Sequence, residues 1–186
     1  PVVIKNDGET FRLAAKADAS VSLDKKASRG IHMSRLYLLC QKYFSENTLS
    51  PQLLADLVSE FLKSHEELST QARCSVSFEI PVLRKALKSE NSSWRTYPVT
   101  LSSRFADGKI KNYIEVQVTY SSTCPASAAL SRQLIQEAFE KNFKDKSLDY
   151  SQLHAWLGTT EGIVATPHAQ RSLATVLVAI DGGFDF

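Results

Sequence analysis

The stretch CSVSFEIPV at residues 74–82 alternates apolar and polar side chains with a period of two. Successive side chains of a β-strand point to opposite faces of a sheet, so one face of this segment is apolar and the other is polar and faces solvent. Residues 11–23 and 110–120 show the same alternation. Strands of this kind are typical of an antiparallel sheet that packs one face on a core. The fold is therefore expected to be built on such a sheet.

A hairpin is predicted next to this stretch. Tyr97, Val99 and Leu101 alternate in the same way and indicate a further strand. Asp107-Gly108 separates it from the strand at 110–120, and Asp-Gly is typical of a two-residue hairpin turn.

Two helices are predicted before residue 74. Ser50-Pro51 combines an N-cap residue with a proline suited to the first helical position, and an apolar stripe follows it. Residues 33–44 carry a broader apolar face, which predicts a helix buried on more than one side. The predicted order up to residue 120 is strand, helix, helix and then three strands.

The pattern returns to a helical period after Cys124. A long helix is predicted to begin near Pro125, followed by a short helix at 149–157 and a strand at 172–180. Antiparallel strands combined with separate helices place the chain in the α+β class.

Composition excludes several classes of protein. The chain has 186 residues, of which 43% are hydrophobic and 23% charged, as in soluble globular proteins. A net charge of +2 with no basic stretch predicts neither a nucleic-acid partner nor a membrane partner, and no apolar run has the roughly 20 residues of a spanning helix. Three cysteines in no cluster argue against a disulfide framework, so a reducing, cytoplasmic location is expected.

Cys124 is the first candidate for chemistry, because it lies where a strand gives way to a helix. Unpaired N–H groups and the positive end of the helix dipole favour a thiolate there, which could bind a metal or attack an electrophile. A free cysteine is more often a small buried hydrophobe, and that alternative remains open. Cys40 and Cys74 lie on predicted core faces and are interpreted as structural.

His168 is the second candidate, within TPHAQRS at residues 166–172. A histidine that binds a metal needs a neighbour to orient its other ring nitrogen, and the polar residues after His168 could supply one. Its distance along the chain from Cys124 is not that of a zinc finger, so the fold would have to assemble any shared site.

RGIHMSR at residues 29–35 is the third candidate. Arg29, His32 and Arg35 surround the start of a predicted helix, where backbone N–H groups already attract phosphate. The alternative is an ordinary helix start with Ser34 as the cap and solvated arginines. The chain has no P-loop, dinucleotide-binding or serine-hydrolase motif.

Three motifs, RGIHMSR at 29–35, YSSTCPAS at 120–127 and PHAQRS at 167–172, resemble in this order the type IB GTP cyclohydrolases. The similarity runs roughly from Leu13 to the end of the chain. It implies an α+β tunnelling fold (T-fold), in which helix pairs pack on one face of an antiparallel sheet. The first T-fold module is expected at 11–123 and the start of a second, truncated module at 124–186. The resemblance also implies a homo-oligomer, a tetramer, with sites at subunit interfaces.

The resemblance implies an enzyme that converts GTP and water to 7,8-dihydroneopterin triphosphate and formate, the entry step of tetrahydrofolate biosynthesis. In that family zinc or manganese activates the water that attacks C8 of the purine, and Cys124 and His168 match catalytic residues at the metal. A metal can lower the pKa of bound water from near 16 to about 7. From their charge, rather than from the resemblance, Arg29, His32, Arg35 and Arg171 are expected to bind the triphosphate.

Two differences from the family bear on these expectations. Ala126 stands where the family usually has a second cysteine, so a role for that thiol in redox sensing or metal capture is not expected. The acidic metal ligand, the glutamate that anchors the purine and a late histidine ligand are expected beyond Phe186.

Two other functions remain open. One is a non-catalytic T-fold module that binds a purine or pterin or builds an oligomer. The other is a tunnelling-fold enzyme that reduces a deazapurine nitrile with a cysteine nucleophile, although the histidine motif at 167–172 favours the cyclohydrolase.

Overall fold

The computed structural model describes residues 1–6, 8–25 and 28–181. The elements are β1 (Val2–Asn6), β2 (Glu9–Leu13), β3 (Ala15–Val21), α1 (Met33–Glu46), α2 (Pro51–Ser64), β4 (Ala72–Lys85), β5 (Ser92–Ala106), β6 (Lys109–Thr123), α3 (Pro125–Phe143), α4 (Tyr150–Leu157) and β7 (Ala169–Ile180). Strands β1 and β2 form one antiparallel sheet, and the other sheet has the order β3-β4-β5-β6-β7. The predicted mixture of helices and antiparallel strands is confirmed.

The chain divides into two compact units. Unit 1 contains the chain up to Val118 and again from Thr175 on, and unit 2 is Thr119–Ala174. The expected modules at 11–123 and 124–186 stay a prediction, and residues 182–186 of the second lie outside the described residues. In the helices that the structure describes, none is long and apolar enough to cross a membrane.

The single strand predicted at 11–23 is wrong, because two strands occupy it. Leu13 ends β2, which pairs with β1, whereas Ala15 begins β3, which pairs with β4 opposite Phe78. Both strands direct alternate apolar residues to one core, so the period of two continues through the break. The pattern therefore does not reveal the change of partner.

The hairpin predicted across Asp107-Gly108 is confirmed. Strands β5 and β6 pair antiparallel up to Ala106 opposite Lys109. Asp107 and Gly108 have φ values of 52° and 72°, the positive values that a type I′ turn needs. A residue pair read from the sequence thus sets the register of two long strands.

Helix α2 forms as predicted and supplies the helical side of the core. Ser50 is its N-cap and accepts a 3.1 Å hydrogen bond from the backbone N–H of Leu53, while Pro51 fills the first position. Phe61 of its apolar stripe is completely buried and belongs to the same core cluster as the sheet residues Val76 and Leu101. Burying one such side chain contributes roughly 1.5–3 kcal/mol.

Helix α1 also forms, but the prediction that it is buried on more than one side is wrong. Leu36 is buried and Cys40 half-buried, whereas Met33 and Tyr37 remain 63% and 69% exposed. Leu36 and Cys40 are one turn apart and share the face that meets the core. Met33 and Tyr37 border an open cavity of about 740 Å³ beside β1 and β3.

Unit 2 is stabilised by aromatic contacts between helices α3 and α4. Phe139 and Phe143 lie one turn apart on α3, and the ring of Trp156 from α4 meets Phe143 edge-on at 5.2 Å between ring centroids. The chain then turns back, so that a Cβ on Gly162 would approach the carbonyl carbon of Trp156 to 2.8 Å. Only glycine allows this close approach without a shift of the backbone.

The strand predicted at 172–180 is confirmed as β7, and β6 is its neighbour in the sheet. The sequence pattern does not predict this pairing, because α3 and α4 separate the two strands along the chain.

Candidate functional site

Cys124 lies at the junction of strand and helix, as predicted. Strand β6 ends at Thr123, Cys124 is the N-cap of α3, and Pro125 takes the first helical position. Its thiol makes no capping hydrogen bond to the helix and is half-buried and free. Proline is favoured at that position because it has no N–H to leave unpaired. The side chain of Cys124 is thus held at a helix N-terminus without being used by the helix.

His168 immediately precedes β7 and is tied to the same helix start. Its backbone N–H donates a 3.2 Å hydrogen bond to Oγ of Ser127, which lies three residues after Cys124. A second bond joins the two motifs, since the hydroxyls of Ser122 and Ser172 are 2.8 Å apart. Unit 2 therefore brings together the two motifs that are separated in the sequence.

The donor atoms of this pair fit a metal of the zinc type. Thiolate sulfur and imidazole nitrogen are ligands that zinc selects, and both belong to one unit. Within residues 1–6, 8–25 and 28–181, no group of three or more histidine, cysteine, aspartate or glutamate side chains could enclose an ion. Cys124 and His168 thus have the chemical types of side chain that such a metal binds, and they could supply two of its ligands.

The other two cysteines form a contact in the core of unit 1. A hydrogen bond links the thiols of Cys40 and Cys74. This bond lowers the pKa of Cys40, whereas the same bond and burial raise the pKa of Cys74. Cys74 is fully buried, which confirms its predicted place on a core face. Neither thiol belongs to the unit that holds Cys124.

The RGIHMSR motif surrounds the N-terminus of α1 in unit 1. His32 is the N-cap, so the alternative of an ordinary helix start capped by Ser34 is wrong in its choice of cap. Arg29 is exposed, and the guanidinium of Arg35 donates a hydrogen bond to the backbone carbonyl of Ser64. That carbonyl is in the last turn of α2, where unpaired acceptors and the negative end of the dipole attract a cation. Arg35 thus links α1 to α2 by a hydrogen bond.

His65 follows α2 and lies against this motif. It is 2% exposed, and its Nδ1 lies within hydrogen-bonding distance of the Phe61 carbonyl at 3.0 Å and of the Ser64 hydroxyl at 2.8 Å. Its Nε2 is buried without a partner among the described atoms, and its ring centroid is 6.1 Å from that of His32. His65 is therefore a buried histidine with one ring nitrogen hydrogen-bonded and the other without a described partner.

Arg171 is exposed near the start of β7 and belongs to unit 2, like Cys124 and His168. Arg29, His32 and Arg35 belong to unit 1. The expected triphosphate residues therefore come from both units.

Sequence reasoning missed the serine residues that connect the motifs. Ser127 lies inside the quoted motif at 120–127, yet nothing in its spacing predicts a bond to residue 168. The burial of His65 could have been inferred from the sequence, because His65 lies one helical turn after Phe61 and continues the apolar stripe of α2.

Comparisons with known proteins agree with the motifs. A family model described as type I GTP cyclohydrolase folE2 matches residues 1–185. A protein from Bdellovibrio bacteriovorus named GTP cyclohydrolase FolE2 is 56% identical over 187 aligned residues, which cover 100% of this chain and 62% of that protein. Proteins of the same name from Hydrogenovibrio crunogenus and Pseudoalteromonas translucida are 48% and 47% identical, over 97% of this chain and 58% and 60% of their own lengths.

The chain thus spans about three fifths of the length of these curated relatives. The family match extends over nearly all of it and includes all three motifs. The chain belongs to the type I GTP cyclohydrolase folE2 family.

Proposed function

We propose that this protein is a GTP cyclohydrolase that converts GTP and water to 7,8-dihydroneopterin triphosphate and formate. The family match and the relatives named GTP cyclohydrolase FolE2 support the reaction. The observation that carries the proposal is the hydrogen bond from His168 to Ser127, because it joins the cysteine and histidine motifs at one helix N-terminus.

Cys124 and His168 are proposed to hold a divalent metal, zinc or manganese. The bound ion would supply a Lewis acid that lowers the pKa of water at the purine C8. Cys124 would provide a sulfur ligand from the end of β6, and His168 a nitrogen ligand from the start of β7. The Ser127 and Ser122 hydrogen bonds orient the two segments, as groups behind metal ligands commonly do. Further ligands, including an acidic residue, stay a prediction.

The triphosphate is proposed to bind Arg29, His32, Arg35 and Arg171. A guanidinium carries five N–H donors and matches phosphate oxygens in pairs. The bond from Arg35 to Ser64 uses one of those donors and fixes the side chain, so the remaining donors stay available to an anion. Arg171 is exposed and belongs to the same unit as the proposed metal ligands.

The finer structural expectations belong to the same proposal. The helix pair α1 and α2 between β3 and β4, with α2 packed on the apolar face of the sheet, supports a T-fold. A homo-oligomer with sites at its interfaces, a tetramer by resemblance, and a cytoplasmic location are proposed on the family likeness and on the free cysteines respectively.

Incubation of the protein with GTP and either zinc or manganese tests the reaction. The expected result is a fluorescent pterin after oxidation of the product, together with one equivalent of formate. Cys124→Ser should abolish turnover, whereas Cys40→Ser, another half-buried cysteine, should retain it. Absence of product with both metals would contradict the proposal.

A separate metal measurement distinguishes the enzyme from a non-catalytic module. Cobalt bound to a thiolate gives a charge-transfer absorption, which Cys124→Ser should remove and Cys40→Ser should leave. A cobalt–thiolate signal without any product from GTP would favour the non-catalytic binding module. No signal in the unchanged protein would remove Cys124 from the metal site.

A further inference from the structure

Three neighbouring strands of unit 1 each carry a positively charged side chain at the same level of the sheet, that is, at positions directly opposite each other. Arg73 on β4 lies directly opposite Arg104 on β5, and Arg104 lies directly opposite Lys111 on β6. All three side chains are exposed, and they share the face turned away from the core. These three residues are called the cationic row. Lys109, two residues before Lys111, adds a fourth positive charge on the same face.

The cationic row is unfavourable for the sheet itself. Side chains directly opposite each other on antiparallel strands have Cβ atoms about 4.5–5.5 Å apart, and like charges at that distance are destabilising. Within the described part of the chain, no carboxylate forms an ion pair with any of these cations. Arg104 instead donates a 3.3 Å hydrogen bond to the neutral side chain of Gln71. The repulsion is therefore not offset by an acidic partner that the structure describes.

The two arginines of the row border a groove with many hydroxyl groups. The groove has a volume of about 570 Å³. Its lining includes the hydroxyl-bearing residues Ser20, Ser22, Ser102 and Tyr113 and the carboxylate of Glu115. Ser20 lies directly opposite Arg73 and extends the row with a hydroxyl group. Guanidinium groups beside hydroxyl donors are a typical combination for binding phosphate oxygens.

Acidic residues on this face lie outside the row. Asp18 is opposite Ser75, one level away along the strands, and Glu115 is opposite Thr100, two levels away. One level is about 7 Å in an antiparallel sheet, because it corresponds to two residues. The positive charge is thus concentrated in one line, and the carboxylates limit its extent along the strands.

We propose that the cationic row binds the phosphate groups of a short polyphosphate, either free or as the tail of a nucleotide. Neighbouring strands are about 4.8 Å apart, so the row spans about 10 Å from β4 to β6, comparable to a chain of a few linked phosphates. Each phosphate would meet one cation, and the Ser20 and Ser102 hydroxyls would complete the contacts. This site uses none of the residues proposed above for the metal or for the triphosphate of GTP.

Tripolyphosphate in metal-free buffer is the probe, measured by calorimetric titration and by the shift in unfolding temperature. The unchanged protein should bind it, and Arg104→Gln or Arg73→Gln should weaken binding at least tenfold. Arg95→Gln is the matched control, because Arg95 is exposed on the same strand but lies opposite Val82. It should bind as the unchanged protein does.

A second measurement distinguishes phosphate binding by the cationic row from simple screening of solvent-exposed charges. Without ligand and at low salt, Arg104→Gln should raise the unfolding temperature, because it relieves repulsion, while losing the rise caused by tripolyphosphate. An equal rise caused by potassium chloride at the same ionic strength would overturn the proposal, since it would show screening alone. Equal weakening by Arg95→Gln would also overturn it.

Competition by nucleotides distinguishes the two sources of the phosphate groups. If GTP and ATP displace the tripolyphosphate whose binding Arg104→Gln weakens, the cationic row recognises a nucleotide tail; if neither displaces it, the row recognises free polyphosphate. Cys124→Ser should leave binding unchanged, so failure of the proposed catalytic function and failure of this site can be told apart.

Discussion

Units 1 and 2 differ in what holds them together. Every fully buried apolar side chain among the described residues lies in unit 1, where α2 covers one face of the sheet. In unit 2, Ser131 is the buried side chain, and Leu130 of α3 is 55% exposed. The aromatic contacts among Phe139, Phe143 and Trp156 take the place of a core there.

Because of this difference, the residues that stabilise the fold and the residues proposed for the chemistry lie in different units. Cys124 and His168 are in the unit without an apolar core, and serine hydrogen bonds rather than packing connect their segments. Regions with few buried apolar contacts open at lower free energy than the core does. Unit 2 is therefore expected to open before unit 1 unfolds.

The largest expected effect tests the core of unit 1. Phe61→Ala removes a fully buried ring beneath the sheet and should lower the free energy of unfolding by about 3–5 kcal/mol. Leu130→Ala, on the exposed side of α3, should change it by less than about 0.5 kcal/mol. Chemical denaturation measures both. Equal losses would contradict the contrast between the units.

A smaller effect tests the turn after α4. Gly162→Ala should cost about 1–3 kcal/mol, because the added methyl group would overlap the carbonyl of Trp156. Gly158→Ala is the control in the same segment, since its Cβ would have an ordinary 3.4 Å contact with Ala155. Trp156 fluorescence reports on unit 2. If Gly162→Ala left this signal and the stability unchanged, the close approach would be wrong.

The third expected effect, smaller again, concerns GTP as the proposed substrate. Arg35→Glu should raise the KM for GTP about tenfold, corresponding to about 1.4 kcal/mol, with a smaller change in kcat. Because Arg35 also binds the Ser64 carbonyl, Arg35→Lys should largely restore the link between the helices while recovering only part of the affinity. Lys42→Glu, on the same helix, is the control for a charge reversal. An unchanged KM in Arg35→Glu would remove Arg35 from the site.

The smallest expected effect concerns pH and unit 1. The carboxylate of Asp24 accepts 2.7 Å hydrogen bonds from the Ser22 hydroxyl and from the backbone N–H and hydroxyl of Thr70, and these bonds lower its pKa. A lowered pKa in the folded state means that the charged form stabilises the fold. This contribution is complete above the ordinary aspartate pKa of about 3.9 and is lost as the pH falls through the lowered value.

Asp24→Asn should therefore lower the unfolding temperature at pH 7, and the difference from the unchanged protein should shrink as the pH falls below about 4. Thermal unfolding across this range measures it. A difference that does not depend on pH would show that the charge of Asp24 contributes nothing.

Features that depend on neighbouring residues could be predicted from the sequence. The Asp107-Gly108 turn, the Ser50-Pro51 helix start and the position of Cys124 between strand and helix all follow from backbone preferences within a few residues. Features that depend on distant residues could not. The division of 11–23 into two strands depends on pairing with β1 and β4, and the exposure of Tyr37 on how α1 rests on the core.

The candidate site divides in the same way. The sequence by itself determined which residue types are available, since a thiol, an imidazole and guanidinium groups in three ordered motifs indicate the family and its chemistry. Only the tertiary structure decided that Ser127 meets His168, that Arg35 fastens two helices, and that Arg73, Arg104 and Lys111 form one row. The physical reason is that side-chain chemistry and local backbone preferences are properties of short segments, whereas hydrogen bonds and strand registers between distant segments exist only once the chain has folded.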